Sequence, residues 1–169
     1  MVATMSESES RPTWDEVRIA QAIALSMRSL CTRDKVGAII TDAKHRIVGE
    51  GYNGPPPGFE HKDLPCTQWC ARSASGLSRS RLSPSYADCP SSHAEANALM
   101  HSDASKRIGG TIYVTSSVCT TCAKAIASSG VARLVVFIAG GRMAHQDNAA
   151  DRETNYTLLN KCGIKVDIL

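Results

Sequence analysis

Two short motifs constrain this chain more than any other feature: His93-Ala94-Glu95 and Cys119-Thr120-Thr121-Cys122. Each follows a loop-like stretch and opens a segment with helical spacing. Zinc takes imidazole and thiolate ligands in a tetrahedral set. Cys119 and Cys122 are three apart, so both face one way on the first turn of a helix. The free N–H groups and dipole of that turn favour thiolates. A fold that brings the two helix starts together gives three ligands, His93, Cys119 and Cys122, and leaves a fourth position open, as catalytic zinc requires. A water bound there has its pKa lowered to roughly 7. Glu95, two residues past His93, can lie beside that water without binding the metal.

Either motif alone says little. H-x-E is common by chance, and C-x-x-C also serves redox pairs and structural zinc sites. The two in this order match the signature of zinc nucleobase deaminases, in which the Glu is the general acid and base. A closed structural site has no use for a carboxylate poised beside an open position.

The rest of the chain sets the frame. Its 169 residues suit one compact domain. The cysteine count of seven is odd, and the polar start MVATMSESES lacks the basic-then-apolar order of a secretory signal. Metal binding or catalysis therefore explains the cysteines better than a disulfide scaffold, and a cytoplasmic location is expected. No run of about 20 apolar residues exists, so no membrane span is expected. The net charge of +3 and the aromatic content of 5% speak against a basic, aromatic-lined nucleic-acid channel.

Residues 1–11 read as a disordered tail and 12–169 as the domain. Thr13-Trp14-Asp15-Glu16 has the form of a capping box opening a helix over 13–30. Val36–Ile40 and Arg46–Gly51 form a hairpin pattern. From about 55 to 91 Gly, Pro, Ser and Cys dominate, which marks a long insertion loop held in place by something. Helices are expected at 92–103, 119–129 and 152–161, and strands at 111–115, 133–138 and 164–168. The alternation in the second half implies a mainly parallel region covered by helices on both faces.

At these motifs the sequence resembles the deoxycytidylate (dCMP) deaminase family from about Trp14 to the C-terminus. The matching stretches are Val36-Gly37-Ala38, Gly51-Tyr52-Asn53-Gly54, His93-Ala94-Glu95-Ala96-Asn97-Ala98 and Cys119-Thr120-Thr121-Cys122-Ala123-Lys124. The resemblance implies a three-layer α/β fold with a five-stranded mixed sheet flanked by helices. It implies hydrolysis of dCMP to dUMP and ammonia by a zinc-activated water, with Glu95 as proton shuttle. It also implies a homo-oligomer (a hexamer, or a dimer or trimer of its parts) and, in some members, regulation by dCTP and dTTP. The alternatives are another cytosine compound, such as a modified dCMP, CMP or deoxycytidine. Two departures bear on the pocket: Val118 stands where the family usually has Pro, and Ser91 and Ser92 stand where several bacterial members carry Arg.

By the same resemblance Asn53 touches the nucleotide, and its other reading is a turn residue before Gly54. Arg28, Ser117 and Tyr156 are further substrate-binding candidates. Arg33, Lys35, Lys124, Arg142 and Arg152 are other cations that could meet a phosphate. Cys31, Cys66, Cys70 and Cys89 match cysteines of many bacterial members, and four thiolates would make a second, structural zinc site. His61 could replace one of them; otherwise they are reduced thiols. Cys162 is expected in the core.

Overall fold

The computed structural model describes residues 11–59, 89–138 and 149–169. The expected tail (residue 11 aside) and most of the insertion loop therefore lie outside the described residues. The chain runs through helix α1 (Trp14–Ser26), strands β1 (Gly37–Thr41) and β2 (Ile47–Tyr52), helix α2 (Ala94–Met100), strand β3 (Thr111–Val114), helix α3 (Thr120–Ala127), strand β4 (Arg133–Val136), helix α4 (Ala149–Lys161) and strand β5 (Lys165–Ile168). Every expected element is present, most of them shorter than their sequence pattern by a few residues at an end. Strands β1 and β2 keep their expected length and shift by one residue, and helix α4 starts three residues earlier than expected.

The capping box at the start of α1 forms as read. Thr13 Oγ1 accepts from the Glu16 N–H at 3.2 Å, and the Thr13 N–H donates to Glu16 Oε2 at 2.7 Å. The five strands lie in the order β2-β1-β3-β4-β5. Strand β1 runs antiparallel to both β2 and β3, while β3, β4 and β5 are mutually parallel. The sheet is mixed, with its parallel part in the second half of the chain, as the alternation implied.

The two faces are covered unequally. Ile39, Tyr113 and Val135 meet only Ile19 and Ala22 of α1 among the buried residues of their cluster. Ala38, Ile40, Ile112, Val114, Leu134 and Val136 face the larger cluster with Ala94 and Ala98 of α2, Ala123 and Ile126 of α3, and Leu159 of α4. Alternation along each strand sends neighbouring residues to opposite faces, so one β-branched run serves both cores. Near the α1 face, Arg133 of β4 grips Asp15 of α1 with two bonds of 2.8 and 2.7 Å and Asp167 of β5 with one of 2.6 Å.

Helix α2 is brought against β2 by two glycines on one face of the strand. A Cβ on Gly51 would meet Ala98 N at 2.4 Å and Ala94 O at 2.5 Å, and one on Gly49 would meet Ser102 Cβ at 2.5 Å. The helix backbone lies where a side chain would otherwise stand. Cys162 corrects the sequence reading: it is exposed, in the turn that leads from α4 to β5. There the chain leaves the helix face and turns through Gly163, so the thiol points away from the core.

Candidate active site

The site gathers at the edge of the sheet where β2 and β3 end and β1 begins. Tyr52 pairs with Gly37, and the Thr115 N–H donates to Gly37 O at 3.1 Å. Edges at the carboxyl ends of parallel strands are where α/β sheets commonly form their clefts. Two helices begin nearby. His93 is the N-cap of α2 and Cys119 the N-cap of α3, both with extended backbone (ψ 154° and 166°). The cap position explains why the ligands project off the helix starts rather than along their sides. The sequence reading put both cysteines on the first turn; Cys119 instead stands just before it, with Cys122 three residues on.

His93 Nδ1 lies 3.5 Å from Cys119 Sγ and 3.5 Å from Cys122 Sγ. Their ligand atoms all lie within 4.8 Å of one another. Tetrahedral zinc with ordinary bond lengths puts nitrogen and sulfur about 3.6 Å apart, so the three groups fit that ion. The Cys119 Sγ also accepts from the Cys122 N–H at 3.5 Å. The Cys119 thiol is pulled down chiefly by its interaction with Cys122, and the same interaction pushes the Cys122 thiol up. A cation bound between them would displace the thiol protons and leave both as thiolates.

Glu95 is 3% exposed. Burial pushes its carboxyl up to about 7, against the partial pull of His93. It is not part of the three-residue set, although it lies close enough to Cys122 for each to shift the other's proton affinity.

The other candidates are placed as follows. Asn53 accepts from the Val36 N–H through Oδ1 at 2.8 Å and donates to Asp34 O through Nδ2 at 2.8 Å. Both ends of its amide thus hold the segment leading into β1. Arg28 is exposed in the turn after α1. Ser117 is buried in the segment between β3 and α3, and Tyr156 is half-buried against the larger core. Cys31 and Cys89 are both partly exposed free thiols, and the Cys31 N–H donates to Ser29 Oγ at 3.2 Å. Cys66, Cys70, His61 and Arg142 lie outside the described residues.

Sequence reasoning missed how the site is held. Gly54 and Ser92 exchange two backbone hydrogen bonds of 3.2 and 2.8 Å, tying the loop after β2 to the residue before His93. Asn97 Nδ2 donates to Tyr52 O at 2.8 Å from the same helix. Asn155 of α4, 1% exposed, donates through Nδ2 to Val118 O at 3.1 Å. An Asn four residues before a buried Leu159, on the inner face of a helix, was the available signal.

Known proteins place this arrangement. A family model described as the cytidine and deoxycytidylate deaminase zinc-binding region matches residues 12–138. The deoxycytidylate deaminase of Mycobacterium phage D29 is 42% identical over 128 residues, covering 75% of this chain and 95% of that protein. The human deoxycytidylate deaminase is 34% identical over 122 residues, covering 72% of this chain and 63% of the human one. The crystal structure of dCMP deaminase from the cyanophage S-TIM5 in complex with dCMP and dUMP has a TM-score of 0.65 at 25% identity. That match covers 95% of this chain and all of that one. The family match, taken with the three converging ligand atoms and the buried Glu95, identifies this chain as a member of the cytidine and deoxycytidylate deaminase family.

Proposed function

We propose that this chain hydrolyses dCMP to dUMP and ammonia. The observation that carries the reading is the pair of 3.5 Å distances from His93 Nδ1 to the two sulfurs, with Glu95 buried alongside but outside the set. Relatives named for this reaction, one of them seen with dCMP and dUMP, support the choice of substrate.

When bound, zinc supplies the Lewis acidity that makes water a nucleophile near neutral pH. His93, Cys119 and Cys122 would hold it. The Glu95 carboxylate takes one proton of the attacking water and passes it to N3 of the cytosine; it then takes the remaining proton from the new C4 hydroxyl and hands it to the departing amino group. Water oxygen is bonded to C4, the C4–N bond breaks, and ammonia leaves. A carboxyl pushed up to about 7 by burial is suited to both taking and giving a proton. Burial also keeps bulk water from competing for it.

The remaining assignments belong to the same reading. Ser117, beside Cys119, and Asn53, through the loop after β2, border the base and sugar. Arg28 and Tyr156 are the candidates for the phosphate end. Cys31, Cys66, Cys70 and Cys89 would hold a second, structural zinc. The chain works as a homo-oligomer, a hexamer or a smaller form of it, in the cytoplasm; among the described residues no helix is long and apolar enough to cross a membrane. Regulation by dCTP and dTTP is tested by adding each nucleotide to the assay.

Ammonia release from dCMP, CMP, dCTP, deoxycytidine and a cytosine oligonucleotide tests the proposal. Turnover of dCMP above all others is expected. An inert dCMP beside a reactive deoxycytidine would overturn the nucleotide assignment. Zinc at two per chain, falling to one in Cys70→Ser, is expected for the second site; one per chain in both refutes it.

A further inference from the structure

We infer that Asn155 is a positioning residue for the metal loop, acting through the carbonyl of Val118. The inference rests on the reading that Cys119 is a metal ligand. The Asn155 amide is 1% exposed and Val118 is fully buried, so this hydrogen bond forms away from water. Asn155 Nδ2 reaches Val118 O at 3.1 Å. That carbonyl belongs to the peptide unit whose nitrogen is that of Cys119. Fixing that peptide plane places the nitrogen and Cα of Cys119, from which its side chain departs.

The position gives the bond its consequence. Cys119 caps α3: its C=O accepts the first helical bond, from the Ala123 N–H at 2.8 Å, while its N–H lies on the loop side of the helix start. Segment 115–118 runs from the end of β3 to that cap, and Val118 has none of the torsional restraint of a proline ring. The Asn155 side chain, from a different helix, ties its last carbonyl down. Helix α4 also presents Leu159 to this core, four residues on and so on the same face, with Tyr156 packed against it. An Asn among such neighbours is costly unless it is hydrogen-bonded. Outer contacts of this kind orient metal ligands, and losing one typically weakens metal binding 10- to 100-fold.

The test uses the full chain in three variants, Asn155→Leu, Asn155→Ala and Asn155→Gln. Zinc affinity is read by competition with a chromophoric chelator, and ligand geometry by the visible spectrum of the cobalt-substituted protein. Asn155→Leu should bind zinc 10- to 100-fold more weakly, with altered cobalt bands. Asn155→Gln, which keeps the donor, should recover most of the affinity. A folded Asn155→Leu with parental affinity and spectrum overturns the inference, whatever its melting temperature. If that variant does not fold, Asn155→Ala is read by the same two measurements. If neither folds, the Asn155 side-chain amide protons of the parent decide. Coupling is reciprocal, so they should exchange more slowly with zinc bound; equal exchange with and without zinc overturns the inference. A parent that takes up no zinc overturns the metal assignment itself, which is a separate outcome.

Discussion

Adding one methyl group at Gly51 tests the link between the sheet and the metal site. The Cβ of Gly51→Ala would lie 2.4 Å from Ala98 N and 2.5 Å from Ala94 O, both backbone atoms. Ordinary contact needs about 3.5 Å, so α2 and β2 must separate by roughly 1 Å. Neither partner is a flexible side chain that could swing aside. Such overpacking costs about 1–3 kcal/mol, or a fall in Tm of roughly 2–12 °C for a chain of this size. The displaced turn begins at His93 and contains Glu95. A 1 Å misplacement of reacting groups typically costs about 100-fold in rate. Gly49→Ala is the control: its Cβ meets Ser102 Cβ at 2.5 Å and Ala98 O at 2.8 Å, at the far end of the same helix. Both variants should lose similar stability by thermal unfolding. Only Gly51→Ala should lose about 100-fold in kcat/KM for dCMP, Gly49→Ala staying within a few-fold of the parent. Equal activity losses, or a Gly51→Ala protein as stable as the parent, would refute the reasoning.

Three further outcomes follow. Glu95→Gln should keep its zinc and lose about 10²- to 10⁴-fold in kcat; metal analysis beside kinetics checks both halves, and retained turnover counts against the proton role. Chelation should lower Tm by roughly 5–11 °C relative to protein at a hundredfold zinc excess over Kd, since that excess contributes about 2.7 kcal/mol; Cys122→Ser should show little response to the chelator. At Arg133, Asp15 is held low chiefly by the hydrogen bond from the guanidinium. Burial pushes Asp167 up, but bonds from Lys165 and Arg133 outweigh it and leave it low. Depressed carboxylates stabilise the fold above their unfolded pKa of about 3.9 and lose that contribution as pH falls through the folded value. Urea unfolding from pH 7 to 3 should therefore show about 1 kcal/mol less acid sensitivity in Asp15→Asn, solvent screening keeping the figure small; identical pH profiles would exclude this pair as a source of the dependence.

Much of the site was legible because its chemistry is local. His93-Ala94-Glu95 and Cys119-Thr120-Thr121-Cys122 each need only a helix start to aim their side chains, and their residue types name the metal. Thr13 and Glu16 lie within one turn of each other, and their capping box formed as written. Branched runs marked the strands, since a sheet buried on both faces needs nearly continuous apolar sequence.

What stayed hidden depends on pairs far apart in the chain. Nothing local tells that β1 would lie between β2 and β3, or that one helix would cover one face and three the other. Asn53 is a substrate-contact candidate by resemblance, and only the fold shows that both ends of its amide also bond to Asp34 and Val36. Gly51 read as the end of a strand, and its missing side chain makes room for the helix that His93 caps. Asn155 reaches across 37 positions to the carbonyl before Cys119. The sequence by itself therefore determined the metal chemistry, because ligand type and spacing are properties of short segments. Only the tertiary structure decided how those ligands are held, because close backbone approach and buried hydrogen bonds exist only once distant segments have packed.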